Sequence, residues 1–166
     1  YKAHEKNAAQ RIADATQTSH IMTHDVSVID CVFGKDEDVF VAEVNSREMS
    51  IVREGNKKRL HFPKYGKTYD DLMISDNNII EGLEIARLLH ARFFIFCKLI
   101  HSDLIIYWEI TKREISDVIR YDKTQTQKNI NDATSKDEDA AYLPMSHVKI
   151  LREIAQTSVG GGHATA

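Results

Sequence analysis

The chain lacks most of the features that would mark a specialised scaffold. It has only two cysteines in 166 residues, Cys31 and Cys97, each inside an apolar run. One potential pair is no disulfide framework, so reduced, buried thiols and a reducing, intracellular setting are expected. No apolar run approaches the roughly 20 residues of a membrane span, and no secretory leader or membrane partner is expected. Charge of one sign is also missing. Lys and Arg number 22 against 25 Asp and Glu, a net charge of −3. No global basic field exists, so any nucleic-acid contact must come from a local patch. There is no internal repeat, no phosphate-cradling glycine loop and no nucleophile elbow. The eight histidines show no ligand spacing; His20 and His24 are four apart but outside a plausible helix.

What is present has the 42% hydrophobic and 28% charged content of an ordinary globular domain. A single domain over 1–158 with a flexible tail over 159–166 is expected. Residues 2–15 read as a helix with Ala3, Ala8, Ala9, Ile12 and Ala13 on its apolar side. Two β-branched runs, Val26 to Phe33 and Val39 to Val44, flank a polar turn at Gly34-Lys35-Asp36-Glu37, the pattern of an antiparallel hairpin. Asp30 then falls mid-strand and Glu43 at a strand end. Residues 46–68 show no period and read as a long loop.

Tyr69 to Ile74 is a short strand, after which Asp76 can cap a helix carrying Ile79, Ile80, Leu83, Ala86 and Leu89. Two strands, Phe93 to Cys97 and Leu104 to Trp108, turn around His101-Ser102-Asp103. Thr111 and Glu114 have capping-box spacing before a short helix ending near Ile119. Residues 120–139 read as a polar loop or a partly ordered flap, Ala141 to Leu143 as an edge strand, and Ser146 as the cap of a last helix with Val148, Ile150, Leu151 and Ile154. The fold class that follows is α/β, a central mixed sheet flanked by helices. Trp108 and the phenylalanines at 93, 94 and 96 are core residues in this reading.

A tight hairpin brings Asp30 and Glu43 together among apolar neighbours. Buried carboxylates are costly unless paired or bound to a metal. Two of them suit Mg²⁺, which takes oxygen ligands and keeps several waters. Such an ion activates water and stabilises a phosphorane-like transition state. The alternative is a half-exposed hairpin with both carboxylates in solvent.

Asp30, thirteen residues before Glu43, and then Glu43-Val44-Asn45-Ser46-Arg47 resemble the PD-(D/E)XK nuclease superfamily, whose signature is a strand Asp, a hairpin, then Glu-x-Lys. The leading helix with Glu5, the Ile74-Ser75 strand end with its following helix, and the strands Phe93–Cys97, Tyr107-Trp108-Glu109 and Ala140–Pro144 are similar in order to phage and mobile-element members. The resemblance implies a restriction-endonuclease-like core and a DNA endonuclease dependent on Mg²⁺ (or Mn²⁺). It makes Asp30, Glu43 and the Val44 carbonyl metal ligands, and Glu5 an accessory acid. Asn45 stands where the catalytic lysine should be, and Asn77-Asn78 occupy the place of a second lysine.

Between Ser46 and Thr68 lie Arg47, Arg53, Lys57, Lys58, Arg59, Lys64 and Lys67 against Glu48 and Glu54, a local excess of +5. Cations beside the acidic pair could neutralise the phosphates of DNA without reading bases, though a solvated loop would look the same. Arg47 or Lys67 could stand in for the missing lysine. Two readings follow: a metal-dependent DNA endonuclease with a degenerate E-x-N motif, or an inactive nuclease-fold module that binds nucleic acid or a protein. A homodimer is left open.

Overall fold

The computed structural model describes residues 2–23, 29–117, 119–125 and 137–153. Helix α1 (Lys2–Thr16) leads into β1 (Ser19–Met22), then β2 (Cys31–Lys35) and β3 (Asp38–Arg47). β2 and β3 form the expected hairpin around a two-residue turn, Asp36-Glu37, with Asp36 at φ 55°. Short polar residues such as Asp tolerate that left-handed conformation. The strand β1 has no counterpart in the sequence reading; its residues are too few and too mixed to show a period. Val26 and Val28 lie outside the described residues.

β8 (Arg92–Leu99) and β9 (Leu104–Ile110) complete a six-stranded mixed sheet with β12 (Lys149–Ile150), in the order β1-β2-β3-β8-β9-β12. All its pairings are antiparallel except β3 with β8. β8 is the central parallel partner and is buried on both faces, which explains its unbroken apolar run. Along β3 and β8 the side chains alternate between two cores. Ala42, Val44, Phe94 and Phe96 meet α1 through Ala8, Ala9 and Ile12. Val41, Phe93, Ile95 and Cys97 belong to the opposite core, which includes Ile79 and Ala86 of α2 (Asp76–Leu88).

α2 starts from Ser75 as N-cap, not Asp76, which lies in the first turn where a carboxylate meets the helix dipole favourably. Ile80 and Leu89, expected inside, are more than half exposed, because the buried stripe runs through Ile79, Gly82 and Ala86. α1 is tied down by Arg11, which donates to Asp103 Oδ1 (2.7 Å) in the β8–β9 turn and to both carboxylate oxygens of Glu153. Cys31 and Cys97 are free and buried, and burial pushes both thiols up to about 12. No helix among the described residues is long and apolar enough to cross a membrane.

The supposed loop over 46–68 is instead an antiparallel ribbon. After β3, which runs on to Arg47, come β4 (Ser50–Glu54), β5 (Lys57–Phe62), a 3-10 turn (Pro63–Tyr65) and β6 (Lys67–Tyr69). The turn Gly55-Asn56 has Gly55 at φ 62°, a hairpin signal that the surrounding charges hid. Only Leu60 is fully buried in this ribbon, so no apolar alternation marks it.

Of the stretch 120–139, residues 126–136 lie outside the described residues and the rest is strand rather than loop. β10 (Arg120–Gln125) pairs with β11 (Asp137–Pro144), which pairs with β7 (Asp71–Ser75). Ala141–Leu143 is therefore in the middle strand of that sheet rather than at an edge. Ser146 starts no helix: Met145–His147 make a 3-10 turn, and Lys149–Ile150 form β12 against β9. Met145 and Val148 are satisfied by the core without helical geometry. The short helix α3 (Lys112–Asp117) follows Thr111, whose Oγ1 accepts from the Glu114 N–H at 3.3 Å. Ile154 and the expected tail fall outside the described residues.

At Gly82 helix α2 packs closely on the sheet: an added Cβ would lie 2.3 Å from the Phe93 ring. Gly82→Ala is expected to destabilise the fold by about 1–3 kcal/mol through overpacking, although alanine favours the helix. Urea denaturation checks this, and unchanged stability would mean that the Phe93 ring has room to move.

Candidate functional site

The site is set by unequal strand lengths. β3 has ten residues and β2 only five, so the β2–β3 pairing ends at Cys31–Ala42 while β3 continues along β8 to Arg47. Beyond Ala42, one edge of β3 has no strand partner among the described residues. Asp30 stands at this fork, just before β2 rather than mid-strand. Its N–H donates to the Ala42 carbonyl (3.1 Å) and its carbonyl accepts from the Thr23 N–H (2.9 Å). Its carboxylate Oδ2 accepts from the Val44 N–H at 2.7 Å, taking the place of the missing ladder bond. The N–H and C=O of a strand residue point to the same edge. The Val44 carbonyl therefore faces the fork as well.

Glu43 is buried, 7% exposed. Its carboxyl hydrogen-bonds that of Asp30, and Oε1 accepts from Asn78 Nδ2 of α2 at 2.8 Å. Burial first, then the negative charges of Asp30 and Glu5, push Glu43 up to about 8, with Arg47 opposing. Asp30 is also raised by burial, but its bonds from Val44 and Glu43 favour its charged form. The balance of these causes raises Glu43 further than Asp30. Glu5, on the first turns of α1, is raised by burial and by Asp30. The negative charge of Glu5 in turn helps to raise Glu43, and among the described residues no three His, Cys, Asp or Glu side chains gather into a metal-binding group.

Asn45 lies two residues along β3 from Glu43, and its Nδ2 is buried with no hydrogen-bond partner among the described residues; the same holds for Ser46 Oγ. Of the two cations that could replace the missing lysine, Arg47 is the one whose charge reaches Glu43 and Glu5. Its Nη1 donates to the Ser46 carbonyl (3.0 Å). Lys98, nearly buried on β8, is occupied by His4 Nδ1 (3.2 Å) and Asn7 Oδ1 (2.7 Å). Glu5, Ser46, Arg47, Glu48, Met49 and Phe62 line a cleft of about 370 Å³.

The basic residues of the ribbon divide in two. Arg59 donates to Asp70 (2.8 Å) and pairs with Glu54, and Lys57 lies 3.2 Å from Asp70. Asp70 follows the stretch whose charge was counted, so the effective excess is smaller than +5. Lys64 lies over the Tyr65 ring. Arg53, Lys58 and Lys67 have no acidic partner among the described residues. Asn78, noted in the sequence only as standing in the place of a second lysine, is a site residue through its bond to Glu43. Its signal was its place in the first turn of α2, directly after β7.

A raised Glu43 makes the fold depend on pH. Its folded value lies above the unfolded one, so its contribution is complete below the ordinary carboxyl range and lost as pH rises through about 8. In chelator, Tm is expected to fall from pH 5 to pH 8 in the native chain and to change less in Glu43→Gln. Parallel pH curves for the two proteins would show that Glu43 is not the titrating group. No protein-family model matches this chain, and neither does any curated protein, so its functional reading rests on the geometry of this fork.

Proposed function

We propose that this chain is a metal-dependent DNA endonuclease with a PD-(D/E)XK-like core and a degenerate E-x-N motif. One observation carries the reading: Asp30 and Glu43 converge within hydrogen-bonding reach at a strand fork, with the Val44 carbonyl facing the same gap. A carboxyl pair that retains a proton because its charges have no counter-ion is a donor set suited to a hard divalent cation. Mg²⁺ or Mn²⁺ would be held by Asp30, Glu43 and the Val44 carbonyl, and when bound supplies activated water and charge stabilisation at the phosphorus.

The chain's own residues take the other roles. Asn78 fixes the Glu43 carboxyl, and Glu5 adds negative charge behind Asp30. Asn45, with its spare amide donor, can orient water or a phosphate oxygen through a hydrogen bond but brings no charge. Arg47 is the cation placed to offset negative charge developing on the phosphate. The ribbon cations, Arg53, Lys58 and Lys67 foremost, would meet backbone phosphates.

The second reading, an inactive nuclease-fold module that binds nucleic acid or a protein partner, is favoured by one specific feature. Asparagine occupies both lysine places, and Asn78 with Asp30 already satisfies Glu43 without an ion. A plasmid-nicking assay separates the readings. The native chain is expected to nick supercoiled DNA with Mg²⁺ or Mn²⁺ and not with chelator. Glu43→Ala should abolish nicking, Arg47→Ala should slow it by about 10²–10³, and Asn45→Lys should raise it. No nicking by either the native chain or Asn45→Lys would transfer the case to the second reading.

Binding gives a further check. Duplex affinity should fall steeply with salt, and alanine at Arg53, Lys58 and Lys67 together should flatten the log–log slope by roughly one unit for each phosphate no longer neutralised. Alanine at Lys57 and Arg59 should flatten it less, since Asp70 and Glu54 already hold those charges. Equal slopes for the native chain and the first triple variant would make the ribbon a solubility feature.

A further inference from the structure

The cleft lined by Glu5 and Arg47, whose charges both act on Glu43, adjoins a second one, for Arg47, Met49 and Phe62 line both. The second, about 390 Å³, lies between the β4–β5–β6 ribbon and the outward face of the β10–β11–β7 sheet. Phe62 and Tyr69 come from the ribbon side, Met73 and Tyr142 from the sheet side. Met73 and Tyr142 are cross-strand partners, so they stand side by side, while the alternating Leu72 and Ile74 turn into the core. Tyr65 packs edge-on against Phe62, with ring centroids 4.9 Å apart, and fixes its orientation. Tyr69 and Met73 are nonetheless 37% and 48% exposed, although both are large and apolar.

We propose that this second cleft takes one unpaired nucleobase, next to the phosphodiester that reaches Asp30 and Glu43. The inference rests on the nucleic-acid reading above and narrows it to single-stranded or locally unpaired substrate. Three aromatic rings and two thioethers offer flat, polarisable surface of the kind that stacks on a base face. In a duplex that face is covered by the neighbouring pairs, so only a splayed base can present it. The volume suits one nucleoside and is far too small for a double helix. Arg47 stands in the wall shared by the two clefts. Its guanidinium has five N–H donors and gives one to the Ser46 carbonyl, leaving others for the phosphate that joins a base in one cleft to the reacting group in the other. Stacking of this kind is tolerant of sequence, so no base preference is expected.

The test is fluorescence anisotropy in chelator with the full chain, so that cleavage does not interfere. The probes are a labelled oligothymidylate, a blunt duplex of equal length and the same duplex with a single-stranded tail. The oligothymidylate and tailed duplex should bind more tightly than the blunt duplex. Tyr69→Ala and Phe62→Leu should each weaken single-strand binding about tenfold or more and leave blunt-duplex binding unchanged. Met73→Ala, at an exposed position outside the core, should weaken the single strand alone by a smaller factor. Unchanged circular dichroism would show that the variants are folded. Equal native affinity for all probes would overturn the proposal, as would variants that lower single-strand and duplex binding alike or neither. A chain that prefers single strands but never nicks with Mg²⁺ supports the cleft and defeats only the endonuclease reading. A chain that nicks blunt duplex without single-strand preference overturns the cleft and leaves the endonuclease reading standing.

Discussion

The structure turns on the edge of β3 that β2 leaves unpaired beyond Ala42. A buried backbone N–H needs a partner, and at Val44 that partner is the Asp30 carboxylate rather than another strand. This substitution brings a charged group into the sheet line and places it against Glu43. It also keeps the carbonyl of Val44 directed at the same gap. The fork is held open because β3 is paired throughout its far half on the other edge, to β8 in parallel register.

The electrostatics follow from that placement. Two carboxyl groups in contact, one of them almost fully buried, cannot both stay ionised without a counter-charge. Burial raises both carboxyls of the pair, which hydrogen-bond each other, and Asn78 donates to Glu43 Oε1. The nearby cation, Arg47, offsets part of the charge and comes from the same strand as Glu43, so that acid and its counter-charge are positioned by one element. Lys98 shows the contrast. It is equally close to the strand end in sequence register, opposite Ser46, yet faces α1 and is used up by His4 and Asn7.

Helix α1 matters to the site through Glu5, and it is held by Ala8, Ala9 and Ile12 against the sheet, with Arg11 also reaching Asp103 and Glu153, residues distant in sequence. The ribbon and the β10–β11–β7 sheet play a different part. The ribbon buries only Leu60 fully, the sheet turns Leu72, Ile74, Ala141 and Leu143 into the core, and together they wall the second cleft. Aromatic side chains divide accordingly: Trp108, Phe93 and Phe96 fill cores, and Phe62, Tyr69 and Tyr142 line a cleft.

Periodic apolar patterning was enough to locate α1, the β2–β3 hairpin, α2, β8 and β9, because each buries a regular face or both faces of its element. The acid pair Asp30 and Glu43 was legible for the same reason: two carboxylates interrupt strands that are otherwise apolar. The β4–β6 ribbon and β10 were not legible. Their strands are stabilised mainly by ladder hydrogen bonds, a Gly55 turn and packing of single residues such as Leu60, none of which leaves a period. Nor could local sequence decide that Met145–Ile150 would be a 3-10 turn and a strand, since the same apolar residues suit a helix and only the free edge of β9 selects the extended form. Sequence determined which groups could do chemistry. Tertiary structure alone decided that Asn78 would meet Glu43, that Arg47 would stand between two clefts and that Asp70 would neutralise part of the ribbon, because each of these contacts joins segments whose proximity depends on how sheets and helices pack.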